Sequence, residues 1–278
     1  MTNDNLLNLR LSRPILYLLL TVAALSFLYP FYWMMVASLT PEAQIGEFSL
    51  VPKNLTTDNY TQMFAKIPIW RSLLNSTIVA TLSTLGVLVF GAMTGYALAK
   101  LRFKGRNLLF FVIIFTMTLP FQITLIPNYI LMVKLEWVDT LAALVVPAMN
   151  SAFAILMFRK AFMTIPDDLI DAARMDGCGD FRIVFQILCP NIVPTLITVA
   201  ILSFMASWND VLWALIVIRD EQLMTMPQLV TLFAVGGRAE AQLGVKLASA
   251  VLLALPIIIA YSIFQRHFIQ SMASSGLK

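Results

Sequence analysis

Apolar residues fall along this chain in six long runs, separated by short intervals rich in charge, proline or glycine. About 20 apolar residues cross the hydrocarbon core of a bilayer. The runs at 14–37, 73–99, 108–133, 141–158, 191–218 and 246–264 therefore predict six membrane-spanning helices. The first exceeds the roughly 7–15-residue apolar part of a cleaved leader. Tyr29, Phe31, Tyr32 and Trp33 lie near its far end, where an interfacial aromatic belt belongs. It is read as a retained span. Residues 38–71 contain Pro41, Gly46, Pro52 and Pro68 and are expected to form a loop with short helices at most. In the second run Gly86, Gly91 and Gly95 allow close helix contact, and the Gly91/Gly95 pair is read as packing within the chain. Pro120 and Pro127 mark bends in the third run, and Asn150 lies inside the fourth. The fifth run is too long for one straight crossing, with Pro194 early and Asn209 and Asp210 late. The expected organisation is a tail at 1–13, a six-span domain at 14–266 and a tail at 267–278, with an inner loop at 159–190 and an outer loop at 219–245.

Composition supports a membrane protein and narrows its chemistry. Of the 278 residues, 59% are hydrophobic and 12% charged, against roughly 25% charged in soluble domains. With the N-terminus inside, twelve of the 19 lysines and arginines fall on the cytoplasmic side and seven outside. The sharpest contribution is the turn holding Lys100, Arg102, Lys104 and Arg106. Both termini and the 159–190 loop are then expected in the cytoplasm. Cys178 and Cys189 fall in or beside that loop and are read as reduced thiols. One histidine, His267, argues against a dedicated metal site. No basic stripe with interleaved aromatics suggests nucleic acid. No phosphate loop, nucleophile elbow or HExxH occurs, so the chain is expected neither to hydrolyse ATP nor to be an enzyme. An acidic residue within an apolar run normally faces an aqueous path or a partner. Asp210, with Asn209 and Asn150, is therefore a candidate for a translocation path. A helix cap, or a pair with Arg219, is the other reading of Asp210.

The most informative interval is 165–190, where charges alternate in sign between two apolar runs. Pro166 can open a helix, and Asp167 and Asp168 suit its positive end. Leu169, Ala172 and Ala173 fall on one face with two small side chains. Gly177 stands where a left-handed residue would end the helix, and Asp180 can cap a second one. A surface-lying membrane helix usually has a basic polar face. This one is acidic, with Asp167, Asp168, Asp171, Asp176 and Asp180, and so favours a protein partner.

Asp171, Ala172, Ala173, Asp176, Gly177, Phe185, Ile187 and Pro190 resemble the "EAA" signature of permease subunits in binding-protein-dependent ABC importers. Asp171 stands where that family usually has Glu, and Cys178 where Ala is common. The stretch from Ser203 to Ile218, then Thr225 to Val230, with a tail from Gln265 to Lys278, is similar to the carbohydrate branch, specifically the second permease of maltose-type systems. The tail departs at Ser271 and Met272 and lacks a final Gly. The resemblance implies an all-α, type I ABC importer permease fold in the bacterial inner membrane. It implies that the 159–190 loop is a coupling helix docked in an ATPase, with Gly276 and Lys278 joining that contact. It also implies that the outer loop meets a periplasmic or lipid-anchored solute-binding protein. A second, similar permease, an ATPase dimer using ATP and Mg, and a sugar or glycoside substrate complete the expected partners. A secondary transporter or channel acting alone is the competing class. It would be expected to hold more ionisable groups at mid-span, and here the spans are nearly free of them.

Overall fold

The structure is a computed structural model and describes residues 3–46, 54–235 and 242–275. The described residues are helical, without strands. The chain divides into two units, Met1–Ile67 with Phe233–Ala254, and Pro68–Leu232 with Leu255–Lys278.

In the first unit, α1 (Asn3–Ser38) begins well before the predicted span, so the expected N-terminal tail continues the helix. From Pro14 to Trp33 it is exposed all round, as suits a helix facing lipid or another protein. A single 3-10 turn, Glu42–Gln44, and α2 (Asp58–Lys66) follow. The carboxylate of Glu42 accepts from the N–H groups of Leu243 (2.7 Å) and Gly244 (2.8 Å) at the start of α14 (Leu243–Ser275). That satisfies two of the helix's unpaired donors. Asn59, buried, donates to the carbonyls of Ser38 and Thr40, both at 2.9 Å.

The second unit is built on α3 (Ile69–Lys100), which packs along α7 (Ala152–Met163) and α11 (Val193–Trp208). The predicted internal role of the glycines holds. A β-carbon on Gly91 would sit 3.2 Å from Ala154, and one on Gly95 would sit 2.7 Å from Cβ of Phe158. Absence of side chains there lets α3 and α7 approach closely. Phe158 and Phe162 stack at 6.1 Å within the core so formed.

Three apolar runs are more broken than their sequence suggests. In the third, α4 (Arg106–Thr116) and α5 (Phe121–Lys134) meet at 99°. Pro120 supplies no N–H at the break, and the hydroxyls of Thr116 and Thr118 turn back to the carbonyls of Ile113 and Phe115. Pro127, by contrast, lies inside α5 without ending it. In the fourth, α6 (Ala142–Ala148) stops before α7. In the fifth, the stretch Asp180–Asn191 meets α11 at 97°, and α12 (Leu212–Val217) follows after a break. The expected outer loop contains a helix, α13 (Met226–Val235), with Pro227 in its first turn, where a missing N–H costs nothing. Gly236 and Gly237 lie outside the described residues. Among the described residues three helices are long and apolar enough to cross a membrane, or five if each bent pair counts as one span.

Candidate functional site: an anchored elbow between two helices

The chain leaves α7 at Thr164, whose hydroxyl bonds back to the carbonyl of Ala161. Ile165 precedes Pro166, and a residue before proline is driven away from helical geometry. Pro166 is extended, and α8 (Asp167–Met175) starts directly after it. Asp167 and Asp168 occupy the first turn, where negative charge is stabilised. At the other end Gly177 has φ +78°, the left-handed conformation expected of it. The N–H of Cys178 donates to the carbonyl of Ala173, and that of Gly177 to Arg174, each at 3.0 Å. These two bonds form the capping pattern in which the last carbonyls of a helix are satisfied by the chain turning back. The chain then enters α9 (Asp180–Arg182), wide turns at Ile183–Leu188 and α10 (Cys189–Asn191). Pro190 cannot donate to the carbonyl one turn earlier, and the widened turns carry the backbone past it.

Side chains at the end of α3 hold this elbow. Lys100 Nζ lies 2.5 Å from both the Ile165 carbonyl and Oδ1 of Asp167. That hydrogen bond, with the lysine's charge, holds the Asp167 carboxyl below the usual carboxylate range. One turn earlier, Tyr96 donates its hydroxyl to Oδ1 of Asp180 at 2.7 Å and accepts from Arg174 Nη2 at 3.2 Å. Arg174 and Asp180 are themselves 3.5 Å apart. Arg159 donates to the Leu98 carbonyl at 3.2 Å, and its guanidinium stands 3.9 Å from the Phe110 ring centroid. From below, Ile170 and Ala173 are buried against Phe162, Ile165, Ile183 and Val184.

The structure divides the predicted site residues. The face expected to hold Leu169, Ala172 and Ala173 together is split, because Ala173 packs inward with Ile170 while Leu169 and Ala172 are exposed. The outward surface is Asp168, Leu169, Asp171, Ala172, Met175 (88% exposed) and Phe181 (64% exposed). Asp176 and Gly177 lie at the exposed bend, Phe185 and Ile187 are half-buried, and Pro190 is exposed. Asp180 does not act as a helix cap. It is the first residue of α9, and the Tyr96 hydroxyl and Arg174 engage its carboxylate instead.

Asn150, Asn209 and Asp210 all sit at helix breaks and are exposed. Asp210 accepts from the N–H of Trp213 at 3.3 Å through its Oδ1, in the first turn of α12. Arg219 instead reaches the Tyr129 hydroxyl at 3.3 Å, and its own N–H donates to Asp139. These residues border a second cluster around Trp213, whose indole donates to the Ala143 carbonyl (2.8 Å) and meets Phe121 edge-on at 6.0 Å. Gly276 and Lys278 lie outside the described residues. The contacts of Tyr96, Lys100 and Arg159 around the elbow were not foreseen from sequence, where Lys100 figures only in the basic turn. The available signal was the four-residue spacing of Tyr96 and Lys100, which places both on one face of the last turns of α3.

A family model for the binding-protein-dependent transport system inner membrane component matches residues 87–274. The chain belongs to this family. It is thus an integral inner-membrane permease component of an importer and not an enzyme. This permease is 35% identical to the arabinooligosaccharides transport system permease protein of Halalkalibacterium halodurans, over 97% of the chain and 99% of the relative. It is 30% identical to the lactose transport system permease protein of Rhizobium radiobacter, over 96% and 97%. Among solved structures, it superposes with TM-score 0.80 and 26% identity on a bacterial ABC transporter involved in the import of the acidic polysaccharide alginate, covering 93% of this chain and 97% of that one. A second structure, of the alginate transporter in complex with an alginate pentasaccharide-bound periplasmic protein, shares the fold at TM-score 0.62 and 15% identity.

Proposed function

We propose that this permease forms half of the translocation path of an ABC importer for an oligosaccharide or glycoside. A second, similar permease forms the other half, and a solute-binding protein delivers the substrate. The names of the relatives, which concern arabinooligosaccharides and lactose, support the substrate class. The bent pairs each count as one crossing and α14 supplies the sixth, with both termini in the cytoplasm. The elbow from Pro166 to Pro190 is the coupling element. It docks in a cleft of an ATPase dimer that supplies ATP and Mg chemistry, and Gly276 and Lys278 of the tail join the contact. The 219–245 segment faces the binding protein, and Asn150, Asn209 and Asp210 line the path.

The observation that carries this reading is the outward surface of α8. Leu169, Ala172 and Met175 project from a helix whose opposite side is buried and whose two ends are tied to α3. Exposed apolar groups on a rigid, acidic helix suit a protein cleft better than water or anionic lipid. The test is the assembled importer with Ala172→Cys and a short thiol crosslinker. Crosslinking to the ATPase, and loss of uptake in Ala172→Trp with the complex still assembled, are the expected results. Crosslinks only to lipid, or normal uptake in the Trp variant, would overturn the coupling role. A screen of saccharides for stimulation of the complex's ATPase activity identifies the substrate.

A further inference from the structure

We infer that Tyr96 is a positioning residue for coupling, a latch through which α3 carries motion of the elbow to the 219–226 segment. The inference rests on the docking role proposed for α8. Tyr96 is 1% exposed except that its hydroxyl reaches the elbow. It bridges the two arms, since Arg174 ends α8 and Asp180 begins α9. Lys100 grips the entrance one turn further on, at Ile165 and Asp167. The same helix is tied at its other end. Asn75 donates to the carbonyls of Gln222 (2.8 Å) and Met224 (3.1 Å), Arg71 to that of Gln222 (3.3 Å), and Ser76 Oγ accepts from the N–H of Met226 (2.7 Å).

Between Asn75 and Tyr96 the helix is unbroken, a strut of roughly 30 Å at 1.5 Å per residue. Gly91 and Gly95 seat it against α7 without intervening side chains. A push on the elbow can therefore reach the far segment only as fully as α3 is held to both arms. Removing the Tyr96 hydroxyl leaves the buried ring in place and cuts the hold on Arg174 and Asp180, leaving that of Lys100 at the entrance. Asp180 and Arg174 remain paired across the bend, so the elbow itself stays closed.

The experiment uses the complete importer in proteoliposomes, with ATP hydrolysis and saccharide uptake measured together. In Tyr96→Phe and in Asp180→Ala the complex assembles at the parent level, and Ala172→Cys still crosslinks to the ATPase. The ATP hydrolysed per saccharide imported rises about threefold or more, as expected when a charge-assisted hydrogen bond is lost. Asp180→Asn, which keeps an oxygen for the Tyr96 hydroxyl, stays closer to the parent than Asp180→Ala. The double variant Tyr96→Phe with Asp180→Ala falls short of the sum of the two single effects, because the Tyr96–Asp180 bond is lost in either. An unchanged ratio in Tyr96→Phe with the crosslink intact overturns the latch while leaving the docking role standing. So do additive effects, or loss of the assembled complex in both single variants, which would mark a merely structural contact. Absence of the crosslink in otherwise unaltered importer overturns the docking role itself, and the latch with it.

Discussion

Replacing Gly95 by alanine should destabilise the chain, whereas the same change at Gly91 should not. Alanine favours a helix over glycine by about 0.5–1 kcal/mol at either position. At Gly95 the new methyl would lie 2.7 Å from Phe158 Cβ and 3.0 Å from the backbone nitrogen of Arg159. Neither atom is the end of a flexible side chain, so α7 as a whole must move. Overpacking of that kind costs about 1–3 kcal/mol, which after the helix gain leaves a net loss centred on about 1 kcal/mol and reaching about 2.5 kcal/mol. At Gly91 the nearest atoms are Ala154 Cβ at 3.2 Å and the Phe158 ring at 3.3 Å, which a few tenths of an ångström relieve. The helix gain and the crowding then roughly cancel. Moving α7 also displaces Arg159 from the Leu98 carbonyl and Phe162 from beneath the elbow, so Gly95→Ala should lower uptake as well. Unfolding both variants in mixed micelles with increasing denaturing detergent measures the difference directly. Gly95→Ala equal to Gly91→Ala, or more stable than it, would refute the argument that helix approach is set at residue 95.

Three further outcomes can be measured separately. The Asp167 carboxyl is held low, so its contact with Lys100 is complete above the ordinary carboxylate range and is lost as pH falls through the lowered value. Hydrogen exchange in α8 should accelerate across that acid window in the parent but not in Asp167→Asn, and identical profiles would count against the ion pair. Glu42→Ala removes the acceptor for two N–H groups of α14, a loss of about 1 kcal/mol. The amides of Leu243 and Gly244 should exchange about fivefold faster, and unchanged rates would show that the carboxylate is dispensable. Asn75→Ala leaves the Met224 carbonyl without its side-chain donor and the Gln222 carbonyl with Arg71 alone, at about 1–3 kcal/mol. Proteolysis within 219–226 should increase, and equal resistance would contradict the tie.

Much of this molecule is written locally. Apolar runs long enough to span, the proline that opens α8 and the glycine that closes it depend on a residue's own backbone and its near neighbours. The resemblance in 165–190 was legible for the same reason, because its residues are close in the chain. The sharp bends were not, since a proline marks where a helix can break but not whether it does. Pro120 stands at a 99° bend while Pro127 lies inside α5. Nor could the sequence say which alanine of the elbow is buried, or that Asp180 is held by a tyrosine 84 residues away. Those facts follow from the depth at which α3 and α7 settle against each other around Gly91 and Gly95. That register turns Tyr96 and Lys100 towards the elbow, and it arises from close packing between distant segments, where shape and not proximity along the chain selects the partners.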